Sequence, residues 1–384
     1  MTDARPPVVI VGSGLAAWTV ARELRKLDKT RELRIVTRDA GHYYSKPMLS
    51  NALAAGKTAT QLVNTPAAQM SQQTAVRLHT HTAALSIGRD RQVVHTSDGA
   101  IEYGQLVLAT GAAPIRVALD GDAAGDVLSV NDLDDYALFR ERLAQAGPVV
   151  ILGAGLIGCE FANDLAQAGH PVEIVDPGPQ VLGRLVPEPA GALLQRSLES
   201  LGVRFHLKKS ALSVERDRGQ LRLRLSDDRV LNTGLVLSAI GLRPRTDLAR
   251  NAGLDTNRGI CVDASLRTSD QQIFALGDGA EYEGVVLPYV MPIMHAARTI
   301  AAQLVGSNVH VRFPPMPVVV KTPIAPVVAV PPPATLEPGW QHTTSESGIE
   351  SRCLSTDGRL VGFALVGDAI ARKSGLLAAL GESR

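Results

Sequence analysis

Two stretches of this chain place glycine where it could cradle a pyrophosphate. The first is Gly12-Ser13-Gly14-Leu15-Ala16-Ala17, directly after the β-branched run Val8–Val11. The second is Gly153-Ala154-Gly155-Leu156-Ile157-Gly158, directly after the apolar run 148–152. A glycine turn between strand and helix aims backbone N–H groups and the positive end of the helix dipole at a phosphate. Gly12 makes the tight turn, Gly14 lets the phosphates approach, and Ala17 takes the third position, where helix and strand pack closely. Gly153, Gly155 and Gly158 match the same pattern in full. Alone, such a match also describes ordinary tight turns. Here each turn opens a helical pattern (Ala17, Val20, Ala21, Leu24 and Leu27 in the first case) that leads to a second apolar strand. Both segments therefore read as dinucleotide sites.

The carboxylates that follow sort the two sites. Asp176 closes the second strand of the later unit, where it can accept hydrogen bonds from an adenosine ribose and repel a 2′-phosphate. That chemistry favours NADH over NADPH. In the earlier unit Asp39 follows Thr37, but Arg38 precedes it directly. An arginine there suits a phosphate or can lie over an adenine face, so the choice between Arg38 and Asp39 stays open.

The elements that must position these turns are those of a multidomain protein. A chain of 384 residues predicts two or three domains at roughly 150 residues each. With 39 basic and 38 acidic side chains the formal charge is +1, unlike the clearly basic domain of a nucleic-acid binder. The three cysteines, Cys159, Cys261 and Cys353, are too scattered for a disulfide framework, a Cys-X-X-Cys pair or an iron–sulfur cluster. A reducing, cytoplasmic location is expected. The polar start, residues 1–7, lacks the pattern of a signal peptide, and no apolar run reaches the ~20 residues that span a bilayer. Eight of the 23 prolines fall between Pro314 and Pro333, which predicts edge strands and turns of a third, smaller unit from about Phe313.

Four further signatures join the two turns. Tyr44-Ser45-Lys46-Pro47-Met48-Leu49-Ser50 follows the first unit, and Ala109-Thr110-Gly111 ends a later strand of it. Ala239-Ile240-Gly241-Leu242-Arg243-Pro244 closes the second unit, and Ile273-Phe274-Ala275-Leu276-Gly277-Asp278 returns to the first. In that order the chain resembles the FAD-dependent pyridine-nucleotide-disulfide reductase superfamily over essentially its whole length. Within it the chain is similar to rubredoxin- and flavorubredoxin-reducing members, and Val320-Lys321-Thr322-Pro323 favours the rubredoxin type.

The resemblance implies an α/β fold. It has two Rossmann-like dinucleotide-binding domains of the glutathione-reductase-like, three-layer ββα kind, plus a small C-terminal α+β domain. The FAD-binding domain would span residues 1–112 and 243–312, the NADH-binding domain 113–242, and the acceptor-docking domain 313–384. FAD would lie on the first turn, with Asp278 near its ribitol or pyrophosphate and the Thr82 backbone on the adenine. Val290 would start a helix pointing at the flavin pyrimidine edge. Lys46 and Glu160 match a lysine–glutamate pair beside flavin N5, Glu160 being expected in the first turn of its helix. Lys321 would face either the flavin or the partner.

The implied activity is electron transfer from NADH through FAD to rubredoxin, a small acidic one-iron carrier, by a monomer. That carrier would supply a downstream system such as alkane hydroxylation or oxygen and nitric oxide detoxification. The stretch His42–Leu49 holds no cysteine, which excludes the thiol chemistry of disulfide reductases. Asn131 stands where ferredoxin reductases carry an arginine for the FAD phosphates, and Lys321 near where they place an aromatic. Both lean toward rubredoxin. Rival readings are a flavorubredoxin or ferredoxin reductase, and a redox sensor that binds NADH and FAD.

His79 and His81 alternate as on one face of a strand, but with no third ligand nearby no metal site is expected. Cys159 reads as a small residue in tight packing, and His295 as a helix-face histidine. Arg312, Lys321, Arg352, Arg359, Arg372 and Lys373 would form a basic rim that steers an acidic partner.

Overall fold

Four β-branched residues in succession, Val8–Val11, form the middle strand of a five-stranded parallel sheet. Its order is Ile273–Ala275, Gln105–Leu108, Val8–Val11, Leu33–Val36, Val76–His79. Side chains of a strand alternate between faces, and both faces here are buried. Val8, Ile10, Leu33, Ile35 and Phe274 join one apolar cluster with the helices Leu15–Leu27 and Val290–Leu304. Val9, Val11, Val36, Leu106 and Leu108 join another with Ile87, Val94 and Ile101 of a three-stranded antiparallel meander. Helices, parallel sheet and meander make the three expected layers. Trp18, fully buried in the first cluster, donates its indole N–H to the Gly41 carbonyl at 3.2 Å.

The computed structural model describes residues 5–333, 336 and 339–382, so the start of the N-terminal stretch read above lies outside the described residues. This first compact unit comprises the chain up to Lys46, Val63–Ala113 and Leu242–Phe313. The second comprises Pro47–Leu62, Pro114–Gly241 and the chain from Pro314 onward.

The second unit repeats the plan. Its four-stranded parallel sheet runs Arg204–Leu207, Val172–Asp176, Val149–Leu152, Leu235–Ser238, with the helix Leu156–Gln167 following the glycine turn. Val150, Leu152, Val175 and Val236 pack against Val214, Leu221, Leu223 and Leu225 of its own meander.

A further five-stranded antiparallel sheet follows, in the order Val318–Val320, Val327–Val330, Leu360–Gly367, Gly348–Leu354, Gly339–Thr344. The sequence predicts this segment as a unit of its own, whereas here it groups with the second glycine turn. The helix Glu188–Ser200 packs against strands Gly348–Leu354 and Leu360–Gly367, and the helix Leu156–Gln167 against Val318–Val320. Prolines bound the strands rather than interrupt them. Pro326 and Pro331 flank Val327–Val330, which lies inside the sheet and not at its edge.

At Gly158 the demand for glycine comes from close approach alone. A Cβ on Gly158 would lie 1.9 Å from the Gly153 carbonyl oxygen. Helix propensity by itself would make Gly158→Ala a gain of ~1 kcal/mol. Overpacking against backbone should instead cost ~1–3 kcal/mol. Urea denaturation of the two proteins decides between these, and an unchanged or raised midpoint would refute the close-packing account.

Candidate active site

Both glycine turns are built to receive an anion. Gly12 has φ +112°, and a Cβ there would strike the Ala109 carbonyl oxygen at 2.2 Å. A Cβ on Gly14, by contrast, would meet no atom within 4 Å. The helix that Gly14 caps, starting at Leu15 and Ala16, has no side-chain cap and no acid in its first turn. In the second unit Gly153 has φ +106° and backs onto the Ala239 carbonyl, while Gly155 again opens on free space. The helix starting at Leu156 and Ile157 is likewise uncapped and free of acid in its first turn. Uncapped N–H groups at a helix start, beside a glycine that leaves room for a ligand, are the donor set a pyrophosphate requires. The residues fit dinucleotides at both turns.

In each unit the carboxylate after the second strand is stitched to its surroundings. One Asp39 oxygen accepts from Ser13 Oγ at 2.7 Å, Thr37 Oγ1 at 2.8 Å and the Gly41 N–H at 2.8 Å. Asp176 accepts the Ala154 N–H on one oxygen at 2.7 Å and the Gly178 N–H on the other at 2.6 Å. A carboxylate oxygen has two lone pairs, so both Asp176 oxygens keep acceptor capacity for a ribose. Arg38 is exposed.

The remaining expected residues of the first unit sit on loops at the strand ends. The Thr82 N–H donates to the Thr37 carbonyl at 2.8 Å, so that donor is already taken. Thr110 Oγ1 donates to the Arg245 carbonyl, and the Gly111 carbonyl accepts the Arg245 N–H. Gly277, with φ +78°, lies against Ala16, where a Cβ would come 3.2 Å from the alanine methyl. Beside it Asp278 reaches the Lys46 amine at 3.8 Å. Val290 begins its helix with no side-chain cap and is partly exposed.

In the second unit one carboxylate organises the site. Glu160 has no exposed surface. It is the fifth residue of its helix and therefore lies beyond the first turn where the sequence places it. Its Oε1 accepts the Lys321 backbone N–H at 2.8 Å, and its Oε2 accepts the Lys321 amine at 2.9 Å and the Ser50 hydroxyl. The Lys321 amine also donates to the Pro47 carbonyl. Of the two roles open to Lys321, neither anticipated this pairing within the protein. Asn131 is buried, and its backbone N–H donates to Asp135 at 2.9 Å. Ala239 and Gly241 follow the strand Leu235–Ser238 beside the second turn, Gly241 with φ +119°.

The sequence reading missed three members of this cluster. Ser50 bonds Glu160, Asp164 accepts the N–H groups of Leu53 and Ala54, and Asn163 accepts that of Ile324. A signal was available. Polar residues at 160, 163 and 164 share one helix face, and all three are buried. Burial pushes the Asp164 carboxyl above the usual range, opposed by the surrounding amide donors and by Lys321.

Three smaller readings change. His81 has φ +51° and lies beyond the strand Val76–His79, so the two histidines do not share a strand face. Cys159 is fully buried, and burial beside Glu160 and Asp176 drives its thiol far up, which fits packing and not reactivity. Of the basic rim, Arg352 and Arg372 both pair with Glu350, Arg359 with Asp357 and Lys321 with Glu160. No group able to hold a metal occurs among the described residues, and no described helix is long and apolar enough to cross a membrane.

Comparison with known proteins agrees with this geometry. Residues 6–301 match the family described as pyridine nucleotide-disulphide oxidoreductase. The chain belongs to that family. Residues 310–380 match a second description, a rubredoxin binding C-terminal domain. A rubredoxin-NAD(+) reductase of Alcanivorax borkumensis is 46% identical over 96% of both chains. A nitric oxide reductase FlRd-NAD(+) reductase of Vibrio vulnificus is 36% identical over 98% of both. The crystal structure of a ferredoxin reductase for the CYP199A2 system from Rhodopseudomonas palustris superposes with a TM-score of 0.88 at 29% identity, covering 97% of this chain and 93% of that one. The α/β family fold with a C-terminal domain, expected from the motifs, is the one observed.

The cluster around Glu160 yields a measurable expectation. Lys321→Met removes the cation from a carboxylate that has no water to replace it. Loss of a hydrogen bond to a charged group costs ~1.5–3 kcal/mol, and the lysine side chain is 32% exposed, which places the effect at the low end. Urea unfolding should show that loss, and an unchanged midpoint would mean the pair contributes nothing to folding.

Proposed function

We propose that this protein is an NADH-dependent rubredoxin reductase, acting in the cytoplasm as a monomer. The observation that carries this reading is the pairing, in one chain, of the oxidoreductase match over 6–301 with the rubredoxin-binding match over 310–380. FAD and NAD are the cofactors. The open, uncapped turn at Gly12, Ser13 and Gly14 supports FAD on the first unit, with Thr37, Arg38 or Asp39 at the adenosine and Thr82 on the adenine. Ala109, Thr110, Gly111, Gly277, Asp278 and Val290 would line the rest of that site. NADH would lie on Gly153, Gly155 and Gly158 with Asp176 at its ribose and Ala239 and Gly241 alongside.

Bound FAD accepts two electrons together from NADH and can release them singly to a one-iron carrier. The protein's own part is orientation and electrostatics. Lys46 and Lys321 would supply positive charge to an electron-rich ring, and Glu160 would hold Lys321 in one rotamer. Lys46, Pro47 and Asn131 at the cofactor belong to the same proposal. No side chain need act as acid, base or nucleophile. Both cofactor turns and the acceptor-binding segment lie in one chain, so a monomer suffices.

Turnover of purified protein with NADH and rubredoxin tests the reading directly. The 36% identity to a protein named for flavorubredoxin supplies the rival acceptor. Rubredoxin should give the higher kcat/KM, and a preference for a flavorubredoxin domain would reverse the assignment.

Nucleotide choice gives a second test. Asp176→Ala removes the carboxylate that would repel a 2′-phosphate and also frees the Ala154 and Gly178 N–H groups. The NADH-to-NADPH ratio of kcat/KM should fall about tenfold or more, the scale of one lost charged interaction. An unchanged ratio would remove Asp176 from the nucleotide site.

A further inference from the structure

Asp164 lies one helical turn beyond Glu160 and on the same face of the helix Leu156–Gln167. It is almost fully buried. Its two oxygens divide between two backbone donors: Leu53 N–H to Oδ2 at 2.8 Å and Ala54 N–H to Oδ1 at 2.9 Å. Those residues lie one residue beyond the turn Lys46–Asn51, whose Ser50 hydroxyl donates to Glu160. Only two residues separate Ser50 from Leu53, too few for the two anchor points to move independently. Beyond Ala54 the chain folds on itself, with the Gly56 N–H on the Leu53 carbonyl and the Lys57 N–H on the Ala52 carbonyl. Both carboxylates of this helix face therefore grip one short segment, Glu160 through a side chain and Asp164 through the backbone.

We infer that Asp164 is a positioning residue: it sets the register of the Lys46–Asn51 turn so that Ser50 reaches Glu160 and holds the oriented Glu160–Lys321 pair. A buried, paired carboxylate could serve only to anchor a loop. The arrangement argues for more, because the anchor spans the very residues that complete the Glu160 hydrogen-bond shell. Without Asp164 the Ser50 donor is released. Glu160 then keeps only the Lys321 donors and a weaker one from Asn51 at 3.4 Å. An asparagine at 164 offers one acceptor where two N–H groups converge and turns its own amide donor toward the other. This inference rests on the proposed reductase reading, which gives Glu160 and Lys321 a part in flavin reduction.

The test uses the FAD-loaded protein and the variants Asp164→Asn, Ser50→Ala and their combination. Asp164→Asn should slow bleaching of the flavin by saturating NADH about tenfold, with KM for NADH nearly unchanged. Ser50→Ala should slow it comparably, and the double variant should be no slower than either single one. Amide hydrogen exchange of a peptide covering Met48–Ala55 should rise in Asp164→Asn. If that variant does not accumulate, Asp164→Glu, which moves both acceptors outward by one methylene, should show a smaller slowing that Ser50→Ala does not compound. Multiplicative effects in the double variant, or a lowered melting temperature with an unchanged bleaching rate, would overturn the role of Asp164. Wild-type protein that NADH does not bleach would instead refute the reductase reading, so the two failures are distinct.

Discussion

A carboxylate deprived of water must be surrounded by donors or give up its charge, and Glu160 has no exposed surface. Its donors come from segments far apart in the chain: Ser50 and Asn51 on one side, Lys321 through both backbone and amine on the other. Satisfying this one side chain therefore fixes where the 46–51 turn ends. It also fixes where the C-terminal sheet begins, because Lys321 directly follows the strand Val318–Val320. Asn163 extends the grip to Ile324. The C-terminal sheet joins the second unit partly through this polar seam, and partly through the helix Glu188–Ser200 packed on its strands.

The glycine turns show the complementary strategy, in which donors are left without partners. A capping side chain in place of Gly14 or Gly155 would add roughly a few tenths of a kcal/mol to its helix. Neither turn has one. The nearby carboxylates hold the turns from the side: Asp39 through Ser13, and Asp176 through the Ala154 N–H. In both units an acid thus shapes the loop without capping the helix. The N–H groups at the helix start stay available to phosphate. This is the same solution reached twice in one chain, on sheets whose central strands share one register pattern with their parallel neighbours.

The parallel sheets and their glycine turns were legible in the sequence because close backbone approach admits almost no residue but glycine. Apolar runs such as Val8–Val11 leave little choice but a buried strand. The lysine–glutamate site was legible only in part. Glu160 stands out by its place after Gly158, yet nothing local says that Lys321, from a segment so distant in the chain, supplies its cation. Ser50, Asn163 and Asp164 look like ordinary surface polar residues until burial is known. The spacing of Glu160, Asn163 and Asp164 on one helix face carried the information, but an amphipathic helix shows polar residues at that spacing too. The grouping of the C-terminal sheet with the second unit depends on helix-to-sheet packing that no short motif encodes.

The same long-range pairing changes how an acidic carrier can be recognised. The basic rim expected from the sequence offers six cations of the last third of the chain to an incoming partner. In the structure Arg359 is matched one-to-one by Asp357, and Lys321 by Glu160, while Arg352 and Arg372 share Glu350. A carboxylate on the partner must then compete with acids already in place. Docking would exchange one ion pair for another and gain little Coulomb energy from each. The Arg359–Asp357 pair, exposed on both sides, is of a kind worth ~0–1 kcal/mol, so exchanging it is nearly neutral. The shared Glu350 is different, because one carboxylate cannot fully satisfy two guanidiniums, and the two arginine side chains are 46% and 67% exposed. On the proposed reading, recognition of the carrier would depend less on a broad basic field than on the geometry of that one over-subscribed acid.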